Sequence, residues 1–217
     1  NQAGLFEPTG VSGLQVLATP PELADEPWLT PVGQAYFVEL EPSLLVSRTI
    51  AITYLQRDVP EGYEHTLTIY YLPQGGTTWK RLPTQQFVEN LLLADLQPAA
   101  GAYAAMSTVV LPALHPGWNL VTYPLPDTRT VTAALASLAN VASIIYAPTP
   151  KIEAQIAPQG TSSTTGQNSN LFAGLQTNVS QLEFGHTYWI KVEGSENVTL
   201  YLTPPRRSLD GLITDHQ

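Results

Sequence analysis

The chain has 217 residues, enough for one large or two small domains whose core needs no covalent staples. Only 12% of the residues are charged, the net charge is −9 and cysteine is absent, which excludes a basic nucleic-acid footprint, docking on anionic lipid, disulfides, thiolate chemistry and Cys-based zinc sites. With 19 Pro and 15 Gly as punctuation, the composition is that of an all-β protein. Lysine occurs only at positions 80, 151 and 191, so solubility rests on acidic groups and on abundant Thr, Ser, Asn and Gln. No apolar run reaches the roughly 18 residues that mark a membrane-spanning helix, and Asn1 to Glu7 lack the features of a signal peptide. The chain reads as a mature or excised segment.

In chain order, the first strand candidate is Val11 to Leu17, followed by the Pro- and acid-rich stretch Pro20 to Pro27, which reads as loop. Apolar runs of strand length follow at Tyr36 to Val38, Val46 to Leu55 and His65 to Leu72, each bounded by Pro or Gly. In the last of these, Leu67, Ile69 and Tyr71 share one face and Thr66, Thr68 and Tyr70 the other, which predicts one packed and one wet side. Gln74-Gly75-Gly76-Thr77 reads as a hairpin loop returning through Thr78 to Leu82. Phe87 to Leu93 and Gly101 to Met106 complete about seven short strands, the pattern of an immunoglobulin-like β-sandwich over residues 1–111.

Two prolines in Leu111 to Pro116 mark a stiff connector. Beyond it, Gly117-Trp118-Asn119-Leu120 opens a strand. Val131, Leu135 and Leu138 then fall at helical spacing, with Thr128 or Thr130 as N-cap, predicting a helix from Val131 to Ala139. Val141 to Tyr146 is the next strand, and Tyr188 to Val192 with Val198 to Leu202 is expected to close a hairpin. Residues 112–205 therefore read as a small β-sheet domain with one helix. The stretch Gln159 to Asn170 is nearly free of apolar groups and reads as a mobile loop, and residues 206–217 as a polar tail.

The glycine turns of Gly117-Trp118-Asn119-Leu120 and Gly185-His186-Thr187-Tyr188-Trp189 each open straight into a strand. Together, over residues 113–203, they resemble the paired Gly-Trp-Asn-Leu and Gly-x-x-Tyr-Trp module of bacterial secreted and cell-surface proteins, a mostly uncharacterised family. The resemblance implies a secreted or cell-surface location in a bacterium and no particular biochemistry. Family members of this type are expected to carry aromatic residues in the loop that here is Ser-, Thr- and Asn-rich.

Chemistry is sparse. His65, His115, His186 and His216 are scattered and no Gly-x-Ser-x-Gly elbow is present, although His115 and His186 adjoin the paired turns and could converge at one end of the second domain. No His-Glu-x-x-His or calcium-loop pattern occurs, Glu61 to His65 being the nearest cluster, with Asp25 and Glu26 as further oxygen donors. Glu183, Glu193 and Glu196 offer paired carboxylates only by coincidence of placement. Asn178-Val-Ser and Asn197-Val-Thr fit the N-glycosylation triplet, which chance supplies in a Thr-rich chain.

Sugar rings stack on exposed aromatic side chains, so Trp79, Trp118, Tyr188 and Trp189 are the candidate ligand-binding residues, with no catalytic residue, no metal and no cofactor. Core packing is the expectation for Trp118 and Trp189, because large aromatics are mostly buried. Trp79, beside a Gly-Gly loop, is expected to be the exposed one.

The sequence thus points to a mainly β, non-enzymatic module acting as a structural or adhesive building block. Its partners would be other surface proteins, copies of itself or polysaccharide, without nucleic acid and without membrane insertion. The alternatives are a carbohydrate-binding module of a secreted hydrolase and a filament or surface-layer subunit that exchanges the Val11 to Leu17 strand.

Overall fold

The computed structural model describes residues 5–6, 11–21, 23, 26–40, 49–88, 90–139, 141–146 and 176–205. They form a mainly β protein, almost wholly antiparallel, with one short α-helix. The Gln159 to Asn170 stretch, Asp25, His216 and the 206–217 tail lie outside the described residues. The chain divides into two compact units, Asn1–Val110 with Tyr201–Gln217, and Leu111–Leu200.

The first unit contains β1 (Leu5–Phe6), β2 (Val11–Leu17), β3 (Thr30–Leu40), β4 (Thr49–Thr53), β5 (Leu67–Pro73), β6 (Lys80–Arg81), β7 (Thr84–Val88), β8 (Leu91–Asp95), β9 (Gly101–Ser107) and β10 (Val109–Val110). Nine of these make a four-stranded sheet in the order β1-β4-β8-β7 and a five-stranded sheet in the order β2-β3-β9-β5-β6. Alternate positions of both sheets meet in one core: Tyr36 and Val38 of β3, Ile50 and Ile52 of β4, Ile69 and Tyr71 of β5, Leu92 of β8, Tyr103 of β9. Buried tyrosine hydroxyls usually find a partner, although those of Tyr36 and Tyr70 have none among the described residues. Tyr71 donates to the Ala99 carbonyl at 3.0 Å and Tyr103 accepts from the Gln97 amide at 2.9 Å. Burial pushes both phenol pKa values up.

Two expectations for this unit change, and one alternative loses support. Phe87 to Leu93 is not one strand but the β7–β8 hairpin, turned at Asn90, whose φ of 65° lies in the left-handed region that Asn tolerates. The Val11 to Leu17 strand, which one alternative exchanges between molecules, is β2 and pairs antiparallel with β3 of its own chain. And β5 has no wet side: Leu67 to Leu72 are all buried.

The reason for the last is a second apolar cluster on the opposite face of the five-stranded sheet. Tyr70, Leu72, Ala102, Ala104 and Met106 pack there with Trp79 and Leu29, flanked by Leu23 and Trp28 of the Pro-rich stretch. Its described residues, Pro20, Pro21, Leu23, Glu26 and Pro27, lie in no helix or strand, as expected of a loop, yet they serve as a cover. Trp79 pins it: the indole Nε1 donates to the Pro21 carbonyl at 2.9 Å, and the Trp79 backbone N–H donates to the Glu26 carboxylate at 2.8 Å. Trp79 is 4% exposed. The expected exposed tryptophan is therefore a core residue, because the Gly-Gly loop beside it ends two residues before the strap closes over the indole.

The second unit holds β11 (Gly117–Thr122), β12 (Arg129–Thr130), α1 (Val131–Ala134), β13 (Ala142–Tyr146), β14 (Gln176–Thr177), β15 (Gln181–Leu182) and β16 (Thr187–Val192). Its main sheet has the order β11-β16-β13-β14, with β12-β15 as a separate ladder. The helix is shorter than its spacing implies. Thr130 caps it, its hydroxyl accepting from the Ala133 amide at 3.3 Å, but Leu135 leaves helical geometry and Ala136–Leu138 continue as a 3-10 turn. Thr132 and Ser137 are weak helix formers, and the four apolar positions Val131, Ala134, Leu135 and Leu138 are buried all the same.

The expected closing hairpin does not form. β16 lies between β11 and β13, and Val198 instead bridges to Leu114. Tyr201–Leu202, which form β17, pair with β10 in the first unit. Tyr201 stacks on Trp28 at 6.4 Å and Thr203 donates to the Pro27 carbonyl at 3.0 Å, so this segment adds to the strap.

Truncating Trp79 removes both the indole volume and the hydrogen bond that holds the strap. Trp79→Ala is expected to lower unfolding stability by about 3–5 kcal/mol, read from the shift in denaturant midpoint. A loss within about 0.5 kcal/mol, the range of ordinary surface substitutions, would mean that the strap does not depend on it.

Candidate functional site

The two Gly-aromatic signatures become the two ends of one antiparallel ladder. Gly117 and Gly185 have φ of 91° and 74°, values that a side chain at these turns would strain. The turn before β11 is held by Asn119, whose Oδ1 accepts from the His115 amide at 2.9 Å. Its Nδ2 donates to the carbonyls of His115 at 2.7 Å and Gly117 at 3.1 Å. The turn before β16 is held by Tyr188, whose hydroxyl accepts from the Glu183 amide at 2.8 Å. Each signature thus carries its own turn clamp.

The ladder pairs Trp118 with Lys191, Leu120 with Trp189 and Thr122 with Thr187. Facing pairs share a side of the sheet, and here that side is the open one. Trp118 is 48% exposed, Leu120 56% and Trp189 39%, whereas Tyr188, Ile190 and Val192 are at most 4% exposed. The Trp118 and Trp189 rings are diagonal neighbours, centroids 6.5 Å apart and planes at 89°, an edge-to-face pair. Thr122 and Thr187 hydroxyls lie 3.1 Å apart at one end.

At the other end Glu193 accepts from Ser143 Oγ at 2.6 Å and from Lys191 Nζ at 2.8 Å. The Lys191 ammonium and the Ser143 hydroxyl hold its pKa below the ordinary carboxylate value. Glu193 therefore keeps its charge near neutral pH, the opposite of what a general acid requires. The site displays an apolar patch of two indoles and a leucine between hydroxyl and charged edges. It can bury apolar or sugar-ring surface.

Of the four residues singled out in the sequence, this geometry brings Trp118 and Trp189 together on the open face. Tyr188 is buried on the covered side, and Trp79 belongs to the first unit's core. The core assignment for Trp118 and Trp189 is corrected: Tyr188, Ile190 and Val192 fill the covered side, leaving the alternate positions outward. Leu120 was missed. The signal for it was Lys191, an ion that seldom lies in a core, on the same face as Trp189.

His115 and His186 do not converge. They precede opposite ends of the six-residue ladder, about 17 Å apart at the usual rise per strand residue. His115 faces Asn197 at 3.0 Å, and His186 lies 3.7 Å from Glu183. Among the described residues, no group of three or more His, Cys, Asp and Glu could hold a metal ion. Glu64 accepts from Gln56 at 2.6 Å.

Comparison with known protein families, with curated proteins and with solved structures finds no match to this chain. The geometry itself defines a mainly β protein that displays an aromatic sheet face.

Replacing Trp118 or Trp189 by Ala should cost about 1 kcal/mol or less, the range for a half-exposed aromatic pair. Asn119→Ala, which removes three hydrogen bonds, should cost about 1–3 kcal/mol. Equal losses at all three positions in chemical denaturation would contradict this division between display and clamp. For Glu193, the lowered pKa means that its contacts are present above the ordinary carboxylate value and disappear as pH falls through the lowered one. Lys191→Ala should raise the midpoint of the Glu193 side-chain carboxyl signal in an NMR titration.

Proposed function

We propose that this chain is a non-catalytic, extracellular bacterial surface module, a structural or adhesive building block that holds neighbouring macromolecules through Trp118, Leu120 and Trp189. The observation that carries the reading is the exposure of these three side chains on one face of the β11–β16 ladder. Burying aromatic residues in a contact gives large energies per residue, and such residues dominate many interfaces. The secreted, cell-surface assignment rests on the resemblance of the Gly117 and Gly185 signatures to the paired module of bacterial surface proteins.

The finer fold reading belongs to the same proposal. The first unit is inferred to be an immunoglobulin-like β-sandwich, supported by two antiparallel sheets that contribute alternate residues to one core. Strand exchange through Val11 to Leu17 has less support, because β2 is paired with β3 of the same chain.

The carbohydrate-binding alternative draws on the same tryptophans. Their planes stand at 89°, so they offer one ring face and one ring edge rather than a coplanar shelf for successive sugars. That geometry favours a shaped protein or mixed surface over a flat polysaccharide chain.

The test compares the full chain with a Trp118→Ala, Trp189→Ala double variant, measuring binding to isolated envelopes of the source cells and to a neutral glycan array. The expected result is envelope binding weakened at least about 30-fold, the equivalent of 2 kcal/mol, with an unfolding midpoint close to that of the parent. Unchanged envelope binding, or turnover on an ester, peptide or glycoside panel, overturns the proposal. Saturable glycan binding by the parent, lost in the variant, hands the site to the carbohydrate-binding reading.

A further inference from the structure

The first unit carries a cleft of about 450 Å3 at the β5–β6 edge of the five-stranded sheet, lined by His65, Leu67, Thr68, Arg81, Leu82 and neighbouring Pro83 and Thr84. It lies where β6, only two residues long, pairs with Tyr70 and Tyr71, so that the start of β5 is paired with β9 on one side and has no strand on the other. Leu82 and Thr84 stay close through the Leu82 amide to the Ile69 carbonyl at 3.0 Å and the Ile69 amide to Thr84 Oγ1 at 2.9 Å. The size falls within the roughly 300–1,000 Å3 of ordinary small-molecule sites.

Its polar groups are donors. Arg81 sends Nε and Nη2 to Thr68 Oγ1 at 3.4 and 3.3 Å, which turns that edge of the guanidinium towards β5. Thr68 is 4% exposed, and because its oxygen accepts those bonds, its own proton has no acceptor among the described residues. A buried hydroxyl without an acceptor is uncommon and is readily satisfied by a ligand oxygen. Thr84 is fully engaged, accepting from Ile69 and donating to the Leu82 carbonyl at 2.9 Å.

The charge census leaves two described cations without a carboxylate, Arg81 and its neighbour Lys80, and of the two Arg81 lines the cleft. The described Lys and Arg residues are Arg57, Lys80, Arg81, Arg129 and Lys191. Arg57, Arg129 and Lys191 each have a carboxylate within 4.0 Å: Asp58, Asp127 and Glu193. Arg81 has none among the described residues, although the chain carries twice as many acidic groups as basic ones, 18 against 9. An exposed guanidinium held in place, uncompensated, at the wall of a cleft is suited to a planar or tetrahedral oxyanion.

We propose that this cleft binds the anionic group of a small ligand, a carboxylate or a phosphate, with Arg81 as the charged fork, the Thr68 hydroxyl as a second donor and His65 at the wall. Leu67, Leu82 and Pro83 supply the apolar sides that receive the rest of the ligand. The site is separate from the Trp118 and Trp189 face and does not depend on the function proposed for it.

The experiment titrates the full chain at neutral pH with inorganic phosphate and, separately, with sodium glucuronate, following backbone and Arg side-chain NMR signals. Glucose and sodium chloride at matched ionic strength are the controls. The net charge of −9 opposes general accumulation of anions, so a saturable shift reports a local site. Expected is saturation in the range of about 1–10 mM for at least one probe, centred on Thr68, Arg81 and His65. Arg81→Gln should weaken it at least tenfold, Arg81→Lys should weaken it less, and His65→Gln gives an independent variant at an exposed position. Saturation by phosphate alone assigns a phosphate ligand, and by glucuronate alone a carboxylate. Shifts that sodium chloride reproduces, shifts that stay linear for both probes, or affinities unchanged by Arg81→Gln in a variant with parental circular dichroism overturn the proposal.

Discussion

The first unit depends on the covering of its five-stranded sheet on both sides. A sheet in the middle of a β protein ordinarily packs one face and leaves the other to water, with polar residues at alternate positions. Here β9 reads Gly-Ala-Tyr-Ala-Ala-Met-Ser and is buried throughout. Small residues allow that, because they let the strap formed by Pro21, Leu23, Trp28 and Leu29 approach the strand on one side while the four-stranded sheet supplies the other. Trp79 is the link, since a single side chain fills the outer cluster and carries the hydrogen bond to Pro21. With no cysteine in the chain and few ion pairs among the described residues, there is little besides such burial to hold irregular backbone in place.

In the second unit one register decides what is hidden and what is shown. Because strand side chains alternate, fixing Tyr188, Ile190 and Val192 on the covered side sends Trp189 and Lys191 outward, and pairing with β11 then exposes Trp118 and Leu120. A slip of one residue would bury Lys191 and expose Ile190 at once. The clamps formed by Asn119 and Tyr188 stabilise the turns at both ends of the ladder, and so act against such a slip. The turn residues of the signatures are thus tied to the display of the aromatic face, even though they touch no ligand themselves.

Much of the strand order was legible because it was written in alternation and punctuation. β2, β9, β11 and β16 begin or end within a residue or two of the apolar runs that announce them. What failed was any inference requiring knowledge of a distant partner. Trp79 looked exposed from its Gly-Gly neighbour, since nothing local reveals that the strap covers it. Trp118 and Trp189 looked buried from residue type alone, when the nearby Lys191 already marked the wet face. The Val198 to Leu202 strand was assigned to its neighbour in sequence, yet Val198 bridges to Leu114 and Tyr201–Leu202 pair with Val109–Val110. Turn chemistry was only half legible, Asn90 being read as part of a strand although its type is among the few that accept a positive φ.

The two surface features draw on different physics, and ionic strength separates them. The Trp118, Leu120 and Trp189 face acts by removing apolar area from water, and its nearest ions, Lys191 and Glu193, already neutralise one another at 2.8 Å. Contacts made there should persist, or strengthen with salting-out ions, as salt is raised. The Arg81 cleft acts through an uncompensated charge at an exposed position, where the screening length falls to about 8 Å at physiological ionic strength and shortens further with added salt. Binding that disappears between low and high salt therefore points to the cleft, and binding that survives points to the aromatic face. Because the chain as a whole is acidic, an anionic partner that nevertheless binds at low salt must be drawn by a local cation, and Arg81 at the wall of its cleft is placed to do so.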